Sequence, residues 1–161
     1  MTSPTSRPSG TADQPLLSRT SRPPVQWMFD AEEKTIFASH PAPVVLQTRD
    51  DIAAYFDDGV RFWRKQAGGE KVYVVVDYQN LTVNLDEIEF YTSRVKRVVD
   101  ECAITVVRYN GSMRQRVAGR MTAIRLHSPS HAYSSREEAL AVVRALRAGT
   151  LALQAGSPPR R

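Results

Sequence analysis

The chain has 161 residues, of which 42% are apolar, and its formal net charge is +5 at neutral pH. That length suits one domain with tails. A single cysteine, Cys102, excludes a disulfide within the chain and a metal cluster built from cysteines. No apolar run reaches the length of about 18 residues that a membrane span needs, and no signal-peptide pattern stands at the start, so we expect a cytoplasmic protein.

Both ends of the chain differ in composition from its middle. Residues 1–25 hold five prolines, five serines and three arginines, and residues 149–161 finish in Gly-Ser-Pro-Pro-Arg-Arg. Such segments bury too little apolar surface to offset the entropy lost on ordering. We therefore predict a disordered tail over residues 1–25, one α/β domain over 26–148 and a flexible tail over 149–161.

The domain is predicted to begin with a β-hairpin and a long helix. Two short β-rich pieces, residues 26–29 and 35–39, are separated by Asp-Ala-Glu-Glu-Lys. Residues 44–46 either add a strand or pack against the core. Apolar residues then recur at helical spacing between Thr48, a good N-cap, and the glycine pair at 68–69, which favours a helix end.

The run from Val72 to Val76 predicts the central strand, because a short β-branched and aromatic run is typical of a strand buried on both faces. Asn84 and Glu87 are spaced as a reciprocal cap for the following helix. That helix is expected to bury one face, which consists of Ile88, Tyr91, Val95, Val98, Val99 and Cys102.

The second half continues the alternation of strands and helices. Residues 104–109 predict a strand, and Ser112 caps a basic helix through about Arg125 whose predicted apolar face is Met113, Val117, Met121 and Ile124. Residues 130–133 indicate a weak edge strand, and residues 134–138 begin a last helix that packs Ala139, Leu140, Val143 and Leu146. The order β-β-α-β-α-β-α-β-α predicts an α/β fold in which parallel crossovers follow an antiparallel hairpin edge.

Charge is divided unevenly along the chain. Residues 27–93 hold 6 Lys/Arg against 12 Asp/Glu, whereas residues 94–161 hold 13 against 4. The division indicates either two differently solvated faces or a contact between an acidic and a basic patch, on a second copy or on a separate protein partner. Nucleic acid is disfavoured, because residues 113–126 contain none of the aromatic side chains that would stack on bases.

Polar side chains follow the two predicted inner strands at the sheet edge where ligand crevices of open α/β sheets lie. They form one candidate binding constellation, in which two arginines supply forked donors to an anion or an acyl-CoA. The alternative is a buried Asp77–Arg108 ion pair with hydrogen-bonded turns around it. The constellation consists of Asp77, Tyr78, Asn80, Arg108, Tyr109, Ser112 and Arg116.

Catalysis, metal binding and a cofactor have little support in the sequence. His127 and His131 lie in a proline-containing loop and His40 stands alone, so we expect no metal site. Ser112 has no positioned base for nucleophilic catalysis. The glycines at 68–69 end a helix and do not begin one, so no phosphate-binding loop and no bound cofactor are expected.

Residues 35–147 resemble the STAS superfamily, the fold of anti-sigma-factor antagonists, and within it the C-terminal extension of some acyl-CoA:acetate/3-ketoacid CoA-transferases. The matching pieces, in order, are Ile36-Phe37, Thr48-Arg-Asp-Asp-Ile52, Val75-Val-Asp-Tyr-Gln-Asn-Leu81, Tyr91, Val106-Val-Arg-Tyr109, Ser112, Arg116 and Tyr133-Ser-Ser-Arg-Glu-Glu-Ala139. The resemblance implies a STAS-like mixed sheet with an N-terminal hairpin and helices packed on it. The glutamate-bearing catalytic domain of these transferases has no counterpart here.

The resemblance therefore implies a non-catalytic accessory or interaction module that docks onto a larger assembly of acyl-CoA metabolism. A STAS-type regulator that binds a kinase-like or sensor partner is a second hypothesis. Acids stand where switch-type members carry a phosphorylatable serine, since Asp86 and Glu87 open that helix, and this disfavours a phosphoswitch. A small acyl-CoA or anion-binding protein is the third hypothesis.

Overall fold

A computed structural model describes residues 24–125 and 131–151. The predicted N-terminal tail, apart from its last two residues, lies outside the described residues, as do His127, Ser130 and positions 152–161 of the second tail. Within the described ranges the strands are β1 (Gln26–Asp30), β2 (Thr35–Ser39), β3 (Val44–Leu46), β4 (Val72–Asp77), β5 (Leu81–Val83), β6 (Ala103–Tyr109) and β7 (His131–Tyr133). The helices are α1 (Arg49–Ala67), α2 (Ile88–Glu101), α3 (Met113–Arg125) and α4 (Arg136–Arg147).

The main sheet has five strands in the order β1-β2-β4-β6-β7. β1 and β2 form an antiparallel hairpin, and every other neighbouring pair is parallel. The predicted α/β fold is confirmed, with a mixed sheet, an N-terminal hairpin edge and four helices packed on it.

A second, two-stranded sheet lies outside the main one. β3 pairs in parallel with β5, so that Val44 stands opposite Leu81 and Leu46 opposite Val83. The sequence leaves β3 open and gives no sign of β5, because three residues are too few to show a period and the partner strand is distant in the chain. Leu46 and Leu81 are fully buried, so this small sheet is part of the core.

The predicted ends of α1 are confirmed. Thr48 is the N-cap, and its hydroxyl accepts from the backbone N–H of Asp51 at 3.2 Å while the Asp51 carboxylate accepts from the Thr48 N–H at 2.9 Å. Gly68 ends the helix with φ of +60°, a left-handed conformation that glycine adopts without a Cβ penalty.

The predicted cap of α2 is wrong. A single 3₁₀ turn, Leu85–Glu87, precedes the helix, and Asn84 caps this turn by accepting from the Asp86 N–H at 3.2 Å. The Glu87 carboxylate does not return to Asn84 but accepts from Arg49 Nε at 2.8 Å. α2 starts at Ile88 without a side-chain cap.

The central strand is buried on both faces, as predicted. Val72, Val74 and Val76 face α1 and α2, and the intervening Tyr73 and Val75 face α4. α4 begins within the predicted residues 134–138, with Ser135 as its N-cap, and buries Ala139, Val143 and Leu146. No described helix combines the length and apolar character that a bilayer crossing requires.

Candidate functional site

β4 and β6 end side by side, and the predicted constellation lies around these two ends. Asp77 is the register partner of Tyr109, and Val76 is the partner of Arg108. Register partners share a face of the sheet, so Arg108 lies on the side covered by α2, and Tyr109 lies with Asp77 on the side covered by α4. The constellation is therefore divided between two faces.

A β-bulge at the start of β6 causes this division. The register with β4 shifts by one residue there, which leaves Ile104 as the extra residue. Had the pairing of Val72 with Ala103 continued in step, Arg108 would stand opposite Asp77. The Asp77–Arg108 ion pair that sequence analysis weighed is thus absent between these two described residues.

Asp77 connects the turns that follow the two strands. Its Oδ1 accepts from the Gln79 backbone N–H at 2.9 Å and from Asn110 Nδ2 at 3.2 Å. Burial first, and then the charge of Asp77, raise the pKa of the Tyr109 hydroxyl to about 12. Asn110 has φ of +57°, so its side-chain bond to Asp77 stabilises a left-handed turn residue.

His40 belongs to this region although the sequence did not single it out. It is buried, and its Nδ1–H donates to the Asp77 carbonyl at 2.6 Å, so Nε2 accepts from the Tyr55 hydroxyl at 3.2 Å. Asn80 Nδ2 donates to the His40 carbonyl at 2.7 Å. Burial lowers the pKa of His40, so the neutral ring connects the end of β2 to the turn after β4. The sequence feature that could have indicated His40 is its position directly after the predicted strand at residues 35–39.

Tyr78, Tyr91 and Arg108 form a hydrogen-bonded chain on the other face. Arg108 Nε donates to the Tyr78 hydroxyl at 2.9 Å, and the two phenol oxygens lie 3.0 Å apart. Burial is the main reason that the pKa of Tyr91 lies well above its usual value, so the Tyr91 phenol is neutral at physiological pH. The described residues give Arg108 no carboxylate partner.

Ser112 and Gln115 hold the start of α3. Gln115 N–H donates to Ser112 Oγ at 3.2 Å, and Ser112 N–H donates to Gln115 Oε1 at 2.6 Å. Gln115 Nε2 also donates to the Tyr78 carbonyl at 3.0 Å, which fastens the helix to the turn after β4. Arg116 lines a small recess beside Gly111 and Tyr133, whose walls also include Tyr78, Arg108 and Gln115.

A cleft of about 420 Å³ opens between α3 on one side and β5, the 3₁₀ turn and the start of α2 on the other. Tyr78, Arg108 and Ser112 of the predicted constellation line it, whereas Asp77, Asn80, Tyr109 and Arg116 do not. Arg114 and Tyr91, which the sequence did not assign to a site, also line it. We call this feature the α3 cleft.

The predicted apolar face of α3 points away from the domain. The side chains of Met113, Val117, Met121 and Ile124 are 79%, 55%, 52% and 69% exposed. The inner face carries small or polar residues instead, with Thr122 and Ala123 buried and Thr122 Oγ1 3.4 Å from Thr92 Oγ1 of α2. The apolar face that the sequence predicts for α3 is therefore exposed and is not part of the core. We call these four exposed side chains the α3 stripe.

Comparison with protein-family models, with curated proteins and with solved structures gives no match. Among the described residues, no three side chains of His, Cys, Asp or Glu lie close enough together to hold a metal ion. The α3 cleft and the α3 stripe are thus the features from which a function is argued.

Proposed function

We propose that this protein is a non-catalytic interaction module that docks onto a larger assembly through α3. The α3 stripe is the observation that carries the proposal. Its residues recur at intervals of four, four and three positions, so they form one continuous ridge along the helix. A helix that offers such a ridge binds in the apolar groove of a partner, and methionines adapt well to such grooves.

Charge defines the rim of the partner's groove. α3 contains four arginines and no acidic residue, and at helical spacing the arginines lie on both sides of the α3 stripe. Arg125 has an ion-pair contact, to Glu89 at 4.0 Å, while Arg114, Arg116 and Arg120 have none among the described residues. We therefore expect a separate partner protein with acidic side chains along an apolar groove.

A second copy of this chain fits the α3 stripe less well. Two α3 helices packed stripe to stripe would bring their arginines together, which costs free energy. Many acids of the N-terminal half are already engaged within the chain, for example Asp57 with Arg94 and Glu33 with Arg144. These acids are less available to a second copy.

The roles of the strand-end residues support a non-catalytic function. Ser112 Oγ accepts the cap bond of α3, and Asp77 accepts the bonds that hold two turns. Such groups stabilise local structure. The resemblance to STAS domains, and to the extension of CoA-transferases, supports a partner that handles acyl-CoA thioesters.

The experiment is affinity purification of the full chain from its native host, followed by calorimetry with the purified partner. The test variant carries Met113→Gln, Val117→Gln, Met121→Gln and Ile124→Gln. The control carries Met28→Gln and Val45→Thr, two exposed apolar positions elsewhere in the domain. We expect the recovered partner to be an enzyme of acyl-CoA metabolism. Its affinity for the test variant should be at least about tenfold lower than for the wild type, and its affinity for the control should be unchanged. Binding to the wild type should weaken as the salt concentration rises.

Equal affinity of the test variant and the wild type would overturn docking through α3. A kinase-like or sensor partner recovered through α3 would replace the acyl-CoA assembly with the STAS-type regulator. Light scattering on the purified chain tests whether a second copy binds the α3 stripe. If the wild type is a dimer and the test variant is a monomer, the partner of the stripe is a second copy of this chain.

A further inference from the structure

Arg108 is a buried cation that has no counter-charge among the described residues. Its side chain is 8% exposed, and among its guanidinium donors the described structure pairs Nε alone, with the Tyr78 hydroxyl. No carboxylate and no stacked aromatic ring among the described residues contacts it. Burying a charge that is neither paired nor fully hydrogen-bonded costs free energy, so such a group indicates an anion that is bound in use.

The α3 cleft supplies the space in front of this guanidinium. Arg108 and Arg114 line it, and no Asp or Glu within residues 24–125 and 131–151 does. The first turn of α3, which carries the positive end of the helix dipole, also borders it through Ser112 and Gln115. The charged side chains that line the cleft are thus both cationic, which suits a small anion.

An apolar cavity of about 70 Å³ lies behind the same residues, between the sheet and helices α1 and α2. Tyr78, Tyr91 and Arg108 line both the cavity and the cleft. The other cavity walls are almost entirely aliphatic or aromatic, for example Val76 and Val106. A chain of about two or three carbon atoms fits such a volume, since a water-sized group occupies about 30 Å³ in the liquid.

We propose that the α3 cleft binds a short-chain monocarboxylate, whose carboxylate pairs with Arg108 and whose apolar chain enters the cavity. Two parallel N–H bonds from the free edge of the guanidinium match a carboxylate. The phenols of Tyr78 and Tyr91 lie between the charged and apolar parts, and the one O–H that their mutual hydrogen bond does not use can donate to the head of the ligand. None of the four side chains of the α3 stripe lines this site, although Arg114 borders both features.

The test titrates the purified full chain, without any partner, with acetate, propionate, butyrate and hexanoate at constant ionic strength. Inorganic phosphate and sodium chloride are titrated in parallel. We expect saturable binding in which each added methylene strengthens affinity about fourfold until the cavity is full, and weaker binding beyond that length. Phosphate binding more tightly than every carboxylate would overturn the ligand class, and no saturation below about 10 mM for any carboxylate would overturn the site.

Two variants locate the binding. Arg108→Met removes the guanidinium at similar volume, and we expect affinity to fall at least about tenfold. Arg120→Met is the matched control, because it removes the same charge from α3 at a position that lines neither the cleft nor the recess beside Gly111, and we expect a change below about twofold. Equal losses in the two variants would overturn the role of Arg108.

An NMR titration of the wild type keeps the proposal falsifiable if Arg108→Met does not fold. The Nε–H resonance of Arg108 should shift with carboxylate concentration and saturate with the calorimetric affinity. An unchanged resonance at saturation would overturn the proposal.

Discussion

Asp77 and Arg108 end neighbouring strands but lie on opposite faces of the sheet. The bulge at Ile104 puts Arg108 in register with Val76 and leaves Asp77 beside Tyr109. One extra residue thus separates a turn-forming acid from a buried cation. The cation is left free to meet an anion from outside the chain.

The two groups should therefore respond independently to substitution. Asp77→Asn removes the charge but keeps an acceptor for the turn, and we expect it to lower the free energy of unfolding by about 1 kcal/mol. Combined with Arg108→Met in a double-mutant cycle, the coupling energy should stay below about 0.5 kcal/mol. Urea unfolding at neutral pH measures both quantities.

A coupling energy above about 1 kcal/mol would contradict the register. If the two residues formed a buried ion pair, each single substitution would lower the free energy of unfolding by about 3–5 kcal/mol, because it would leave the other charge buried and unpaired.

What the sequence predicted depends on whether the signal is local. The ends of α1 follow from the capping chemistry of Thr48 and Gly68, which involves only adjacent residues, and the structure confirms both. The bulge at Ile104 depends on how two distant segments pair, and no residue near it shows the shift. The same holds for β5, whose partner β3 is remote in the chain.

The candidate site was predictable in part for the same reason. Strand order alone places polar residues at one edge of the sheet, so Tyr78, Arg108 and Ser112 were found. The outward orientation of α3 was not predictable, because a helical stripe of Met, Val and Ile has the same periodicity whether it faces a core or a partner. Here the deciding residues are Thr122 and Ala123, whose small side chains let the opposite face approach α2.

Replacing glycine by alanine should have opposite effects on stability at two helical positions, Gly59 and Gly119. A Cβ at Gly59 would lie 2.7 Å from the indole of Trp27, whereas a Cβ at Gly119 meets nothing within 4 Å. Gly119→Ala should raise the free energy of unfolding by about 0.5–1 kcal/mol, the usual gain within a helix. Gly59→Ala should lower it by about 1–2 kcal/mol, because Trp27 is packed against Tyr55 and Phe62 and cannot move freely. Thermal and urea unfolding of both variants test this, and stabilisation by Gly59→Ala would show that Trp27 does not rest on α1.

The exposure of the α3 stripe predicts a small effect on stability in the free chain. Met121→Ser should change the free energy of unfolding by less than about 0.5 kcal/mol, as is usual for exposed positions. Leu46→Ala is the comparison, because Leu46 is fully buried in the small β3–β5 sheet and its truncation should cost about 2–5 kcal/mol. A cost above about 1.5 kcal/mol for Met121→Ser would place the stripe in the core and remove the docking proposal.

His40 should make stability depend on pH. Burial lowers its pKa in the folded chain from the ordinary value of 6.5, and this outweighs the backbone bond to Asp77 and the charge of Asp77, which act in the opposite direction. Below that ordinary value the unfolded chain therefore binds the proton more readily than the folded chain. The contribution of His40 is fully present above pH 6.5, and it is lost as the pH falls toward the folded pKa, with a slope of up to about 1.4 kcal/mol per pH unit.

His40→Gln is the matched variant, since its amide can still donate to the Asp77 carbonyl but does not titrate. Urea unfolding of both proteins over about pH 8 to pH 5 gives the difference between their free energies of unfolding, in which the titration of all other groups cancels to first order. We expect the wild type to lose stability relative to the variant as the pH falls below 6.5. A difference that stays constant, or one that favours the wild type at low pH, would mean that the ring is not held neutral between Asp77 and Tyr55.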